Sequence, residues 1–378
     1  MIPYGHQSIN EDDIQAVSEV LQSDWLTQGP KVDEFEKSLA DYCGAKHAVV
    51  FCNGTAALQA AYFAAGFQPG DEFITSPMTF AATSNAGIWQ GGKPVFADID
   101  SATGNMDPEK ILPLINDKTK AIVPIDYSGN PVDLKRILQI AKDHGLIVIE
   151  DSCHALGASL DGRKIGSLSD MTVFSFHPVK PITTGEGGAV TTDNDAYTEK
   201  LRLFRTHGIT KKDFVNESHG PWYYEMQFLS QNYRITDFQC ALGLSQMKKL
   251  DGFIERRNKI ASRYVEGFAG VDALRTVQVS SNSISGWHLY PILLQGVWKE
   301  KRKKVFEELR AAGIGVQVHY IPVHLHPYYQ ECGYRRDSCP QAEAFYEAEI
   351  SLPIYPGLTE DQQDFVITKF REILNNNY

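Results

Sequence analysis

The chain contains no run of 18 apolar residues, and its start, Met1-Ile2-Pro3-Tyr4, shows no basic segment followed by an apolar one. A membrane span and a secretory leader are therefore not expected, and a cytoplasmic protein is. Its six cysteines form no Cys-x-x-Cys pair and are scattered through apparent helices and strands. That usage fits reduced thiols rather than a disulfide framework. There is no Gly-Lys-Ser/Thr, which excludes a P-loop, and no Gly-x-Gly-x-x-Gly after an early strand, which argues against a nicotinamide enzyme. Positive charge is also in short supply: 36 Lys and Arg face 47 Asp and Glu, a formal charge of −11. The overall field repels nucleic acid and anionic membrane, so an anionic ligand needs a local positive pocket.

What is present is the balance of a soluble globular protein, with 43% hydrophobic and 22% charged residues over 378 positions. That length predicts about two domains. From about Ala48 to Val190, apolar runs alternate with helical segments. The runs are Ala48 to Phe51, Glu72 to Thr75, Pro94 to Ala97, Ala121 to Pro124 and Leu146 to Ile149. The helical segments are Ala56 to Ala65, Phe80 to Gln90, Pro108 to Ile115 and Val132 to Asp143. This rhythm predicts βα units around a mainly parallel sheet. Ahead of it, Asn10 caps a helix running to about Ser23. After about Leu250 a charged helix (Asp251 to Phe268) leads to strands near His288 to Leu294 and Gly315 to Tyr320, with a helix from Glu300 to Ala312 between them. The expected division is a large domain over 1–250, including an N-terminal helical segment, and a smaller α+β domain over 251–378.

Three short stretches carry chemistry. At Asn53-Gly54-Thr55-Ala56 a strand gives way to a helix through a glycine, leaving free N–H groups suited to a phosphate. Taken alone, such turns are routine connections. Asp151 follows the strand Leu146 to Ile149, at the sheet edge where α/β proteins bind ligands. Alone, an acidic residue there reads more readily as a helix cap or a solvated strand end. Lys180 lies between the apolar Phe174-Ser175-Phe176 and Gly185-Glu186-Gly187-Gly188, where partial desolvation lowers an amine's pKa and frees it as a nucleophile. Together they form the minimum kit for pyridoxal 5'-phosphate. His324 and His326 share a strand face, but no nearby Asp, Glu or Cys completes a ligand set, so no metal is expected.

The spacing Gly54-Thr55-Ala56, Asp151-x-x-His154, Ser175-x-x-x-x-Lys180 and Gly185-Glu186-Gly187-Gly188 resembles the sugar aminotransferases of the DegT/DnrJ/EryC1/StrS family. The resemblance covers nearly the whole chain, from Trp25-Leu26-Thr27 through Asn232-Tyr233-Arg234 to Val318-His319-Tyr320 and Ser351-Leu352-Pro353. Within the family, His177 to Gly188, Thr206 to Phe214 and His288 to Ile292 are most similar to the branch acting in pseudaminic-acid biosynthesis.

The resemblance implies a fold-type I pyridoxal-phosphate enzyme and a homodimer with shared active sites. The reaction it implies moves the amino group of L-glutamate, leaving 2-oxoglutarate, to C4 of a UDP-linked 4-keto-6-deoxy-N-acetylhexosamine. It further implies that Lys180 forms the Schiff base and moves the proton, and that Asp151 keeps the pyridine nitrogen protonated. Phe80 would stack on the cofactor and His154 would face its ring hydroxyl, where many family members have glutamine. Gly54, Thr55, Ala56 and Ser175 would hold the phosphate, with Asn232 reaching it from the neighbouring subunit. Tyr4, Trp25, Thr27, Lys211, Arg234, His319 and Tyr320 are the implied substrate contacts. The rivals are a transaminase for another nucleotide-linked 4-keto sugar, a dehydratase of the same scaffold and a non-catalytic regulatory protein. Lys180 counts against the dehydratase, which carries histidine there, and the intact lysine and aspartate count against the regulator.

Overall fold

The computed structural model describes residues 1–375. Seven strands form one sheet: β1 (His47–Phe51), β2 (Glu72–Thr75), β3 (Lys93–Phe96), β4 (Thr119–Val123), β5 (Ile147–Asp151), β6 (Met171–Ser175) and β7 (Gly188–Thr192). Their spatial order is β1-β7-β6-β5-β4-β2-β3, and β7 alone runs antiparallel to its neighbours. The expected arrangement is present: a large α/β domain built on the sheet and a smaller α+β domain at the C-terminus. The strands read as continuous β-branched runs because both faces are covered. Along β1, Val49 packs under the alanine-rich helix Gly54–Ala64, while Val50 points the other way, toward Phe35 and Leu39 of the helix Pro30–Cys43.

Local chemistry sets the helix boundaries. The Asn10 side chain accepts from Asp13 N–H while Asp13 reaches back to Asn10 N–H, starting the helix Glu11–Leu21. Asp133 caps the helix Leu134–His144, and Gly145, with φ 66°, ends it in the left-handed region that a side chain resists. The segment Pro108 to Ile115, expected as one helix, is instead two 3₁₀ turns, Pro108–Lys110 and Leu112–Leu114. Pro113 supplies no N–H and its ring opposes an α-helical turn, so regular bonding stops there.

The smaller domain carries strands β8 (Leu274–Thr276), β9 (Tyr290–Leu294) and β10 (Glu349–Leu352) in the order β8-β9-β10. Helices Arg302–Ala311 and Glu360–Asn375 pack together beside them. The first residues join this unit: Ile2 bridges Ile314 in parallel, and Ile354 N–H donates to Tyr4 O at 3.0 Å. The strand expected over Gly315 to Tyr320 is absent save for one bridge, Gln317 to Ser351. Beyond it the backbone leaves the ladder, because His319 N–H donates to the Glu349 carboxylate at 2.7 Å rather than to a main-chain carbonyl. All six cysteines are unpaired. Among the described residues no helix is long and apolar enough to cross a membrane.

Candidate active site

Strands β1, β2, β4, β5 and β6 all end at the same sheet edge, and β7 starts there because Gly188 pairs with both Phe51 and Ser175. The residues following those ends surround a cavity of about 530 Å³ closed by Tyr4, His288, His319 and Tyr320 from the small-domain side. Connections at this edge have free backbone groups and no ladder to complete, which is why ligands collect there.

The turn after β1 is an anion cradle. Asn53 Oδ1 accepts from Ala56 N–H at 2.8 Å and Asn53 O from Ala57 N–H. Of the first-turn amides this leaves Gly54 and Thr55 without an intrahelical partner, facing the cavity they line. Close approach demands the glycines: a Cβ on Gly54 would lie 3.0 Å from Ser175 Cβ, and one on Gly188 would lie 2.6 Å from Asn53 O. Gly54, Thr55 and Ser175 line the cavity as the sequence implied. Ala56 does not line it, and its N–H donates to the Asn53 cap.

Asp151, at the end of β5, is buried and held on both oxygens. Thr83 O–H donates to Oδ2 at 2.6 Å and Cys153 N–H to Oδ1 at 3.2 Å, with Thr79 Oγ1 2.9 Å from Thr83 Oγ1. Lys180 lies in the β6–β7 connection and opens to the same cavity. Burial lowers its pKa below the usual lysine value, opposed by Cys153 and Asp151. Burial, reinforced by Asp151, holds the Cys153 thiol well above its ordinary value, so it stays neutral beside the lysine.

Four histidines, His154, His177, His288 and His319, line the walls. His154 and His288 have ring centroids 4.5 Å apart, and burial, followed by the nearby Lys180, holds both well below the usual imidazole range. Tyr320, kept protonated by burial, places its hydroxyl oxygen 3.1 Å from His154 Nε2. His154 Nδ1 is a buried atom with no protein partner, and its role as donor or acceptor follows the tautomer that Tyr320 faces. His288 Nδ1 meets Val179 O at 3.1 Å, next to Lys180 in the chain. Phe80 lies on the wall with 62% of its surface exposed and its ring 6.3 Å from that of Tyr320.

The structure therefore brings together Gly54, Thr55, Phe80, Asp151, His154, Ser175, Lys180, Tyr4, His319 and Tyr320. It does not bring Trp25, Thr27, Lys211, Asn232 or Arg234 to this cavity. Trp25, Thr27, Lys211 and Asn232 are exposed, and Arg234 is half-buried with no ion pair among the described residues. Sequence reasoning missed Thr79, Thr83 and His288. For His288 the signal was a polar ring directly before the apolar run Leu289 to Leu294.

A profile of the DegT/DnrJ/EryC1/StrS aminotransferase family matches residues 7–371. The chain belongs to this family. Among relatives of the family, the chain is 42% identical to the spore coat polysaccharide biosynthesis protein SpsC of Bacillus subtilis, over 99% of this chain and 97% of that one. It is also 42% identical to the UDP-4-amino-4,6-dideoxy-N-acetyl-beta-L-altrosamine transaminase of Campylobacter jejuni, over 97% and 96%. The solved structure of Helicobacter pylori PseC, an aminotransferase of pseudaminic-acid biosynthesis, is 37% identical and matches with a TM-score of 0.94 over 99% of each chain. The sugar aminotransferase Spr1654 of Streptococcus pneumoniae, described as putative, matches in its PMP form with a TM-score of 0.94 and in its PLP form with 0.93. Pyridoxal phosphate is the cofactor of this aminotransferase family. The residues present fit it: an anion cradle, a fixed carboxylate, a desolvated lysine and the unpartnered His154 Nδ1 share one cavity.

Proposed function

We propose that the protein transfers the amino group of L-glutamate to C4 of a UDP-linked 4-keto-6-deoxy-N-acetylhexosamine, UDP-2-acetamido-2,6-dideoxy-β-L-arabino-hex-4-ulose, in pseudaminic-acid biosynthesis. The observation that carries the substrate is the full-length similarity to the altrosamine transaminase. The chemistry rests on Lys180 and Asp151 facing one cavity.

In this reading Gly54 and Thr55 N–H and Ser175 O–H hold the phosphate, and Phe80 covers one face of the ring. The Asp151 carboxylate, fixed by Thr83 and Cys153, holds a proton on the ring nitrogen, while the His154 Nδ1–H donates to the ring oxygen. Bound there, pyridoxal phosphate supplies the electron sink that accepts charge when the amino-bearing carbon loses its proton. Lys180, with its pKa lowered by burial, would present a neutral amine to hold the cofactor and, when released from it, would carry that proton. Tyr4, His319 and Tyr320 contact the sugar. Trp25, Thr27, Lys211, Asn232 and Arg234 act in a homodimer, Asn232 completing the phosphate site of the neighbouring subunit. The protein works in the cytoplasm, without nucleic acid or membrane, and its domains divide near residue 250.

A second reading is favoured by the equal similarity to SpsC: amination of a different nucleotide-linked 4-keto sugar. The test is the visible spectrum of the protein loaded with pyridoxal phosphate. L-Glutamate is expected to convert it to the pyridoxamine form, and the UDP-4-keto sugar to restore it. Conversion by glutamate without restoration by this sugar favours the second reading; no conversion by glutamate refutes the proposed donor.

A further inference from the structure

Side chains 349 and 351 of β10 share one strand face, and that face meets the segment carrying His319. Ser351 O–H donates to Glu349 Oε1 at 2.5 Å, His319 N–H donates to Glu349 Oε2 at 2.7 Å, and His319 Nδ1 lies 2.8 Å from Ser351 Oγ. Tyr127 O–H fixes the same residue by donating to His319 O at 2.5 Å. All four residues are buried. The order is not that of a hydrolase triad, because the acid is bonded to the hydroxyl rather than to the imidazole, and Ser351 has no exposed surface from which to attack a substrate.

What this chain of groups controls is the place of one proton. A hydroxyl has a single hydrogen, and a neutral imidazole carries one N–H. When Glu349 is ionised, Ser351 gives its proton to the carboxylate and its oxygen accepts from His319 Nδ1–H, leaving Nε2 bare. When Glu349 is protonated and donates to Ser351, Ser351 donates to Nδ1, and the hydrogen sits on Nε2. No hydrogen bond among the described residues occupies Nε2, and His319 is a wall of the cavity.

We propose that Glu349 and Ser351 are positioning residues that set the tautomer of His319, and so decide whether the cavity meets a hydrogen-bond acceptor or a donor at that wall. The inference rests on the reading of this cavity as the sugar site. With Nε2–H the wall suits a carbonyl or phosphate oxygen; with bare Nε2 it suits a hydroxyl or an ammonium group. Glu349 is faced by Arg302, Tyr127, Tyr320 and His319; His319 is faced by Lys180, Tyr4, Tyr320, His154 and His288. Burial raises the Glu349 carboxyl to about 8, against the pull of Ser351, the His319 amide and Arg302. Burial, then Lys180, lowers His319 to about 3. The imidazole thus stays neutral while the carboxyl changes state, and the tautomer reverses on passing from the acid to the alkaline side of that transition.

The test is nitrogen NMR of the holoenzyme labelled with [15N]histidine, from pH 6.5 to 9.5, with the His319 signals assigned by their loss in His319→Asn. The two ring nitrogens of His319 are expected to exchange shifts, from Nε2–H to Nδ1–H, with rising pH. In Glu349→Gln the side-chain oxygen must still accept from His319 N–H, so its NH2 donates to Ser351 and Nε2–H is expected throughout. Ser351→Ala breaks the coupling by itself, so its His319 shifts are expected to lose the transition even where the glutamine variant fails to fold. A wild-type tautomer constant over this range, or a transition that survives in Ser351→Ala, overturns the proposal. The reading does not depend on turnover: a constant tautomer in an enzyme that aminates the sugar defeats this inference alone, whereas a coupled tautomer in one that rejects the sugar defeats the substrate reading.

Discussion

The floor of the cavity and its outer surroundings are built in opposite ways. Lys180, Asp151 and His154 sit at the sheet edge, each with its place fixed by a strand end, a hydrogen bond or close packing. Trp25, Lys211 and Asn232 lie on exposed loops, and Trp25, Trp222 and Leu229 leave 56%, 73% and 84% of their surfaces in solvent. One chain thus brings Lys180, Asp151, Tyr4, His319 and Tyr320 to one cavity, whereas Trp25, Thr27, Lys211, Asn232 and Arg234 do not reach it. The difference teaches that motif-matched residues fall into two sets, one fixed by the fold of a single chain and one left on its surface, which on the proposed reading acts in a homodimer.

The comparison breaks first at the floor. Lys180→Ala is expected to abolish multiple-turnover transamination, by more than about 10⁴-fold, since it removes both a nucleophile and a proton carrier. Asp151→Asn, which keeps the shape and removes the charge, is expected to lower kcat about 10³-fold. Steady-state rates with L-glutamate and the sugar measure both, and an Asp151→Asn enzyme of near wild-type rate removes the carboxylate from the mechanism.

A sharper form of the contrast mixes the two regions. If Asn232 completes a neighbouring subunit's site, inactive Lys180→Ala chains combined with inactive Asn232→Ala chains regain roughly a quarter of wild-type activity by random pairing. No recovery after subunit exchange, with mixed dimers verified by mass, returns Asn232 to its own chain.

The smallest effect concerns stability. His319 is lowered from 6.5 to about 3, so below pH 6.5 the unfolded chain binds a proton that the folded one refuses. Stability contributed at neutral pH is therefore lost as pH falls, by about 2 kcal/mol at pH 5 for this residue. His154 and His288 act in the same direction. Thermal unfolding of wild type and His319→Gln at pH 7 and pH 5 checks the sign: the variant is expected to lose less on acidification.

Much of the floor was legible in the sequence because strand ends are. An apolar run followed by Asp151, and another followed by Ser175 and Lys180, locate the sheet edge without any knowledge of packing. Pro113 shows the limit: apolar spacing suggested one helix, yet a single missing N–H divides the segment into two turns. The alternation at Gly315 to Tyr320 misled for a tertiary reason, since its ladder is cut short by the carboxylate of Glu349, a residue distant in sequence. Thr83 was illegible for the same reason, because nothing local marks a helix hydroxyl as the partner of Asp151. The loop residues matched the motifs yet line no cavity, which motif spacing has no means of revealing.

The lone reversed strand, β7, has a consequence for how the protein matures. The anion cradle follows β1 and the lysine precedes β7, and the two meet only when Phe51 pairs with Gly188. That pairing closes a long loop and belongs among the slow steps of folding. A nascent chain that has completed β1 to β5 holds the cradle and Asp151 but has no lysine beside them. Cofactor uptake therefore reports sheet closure, and supplied vitamin can rescue weakened variants only after that last strand has docked.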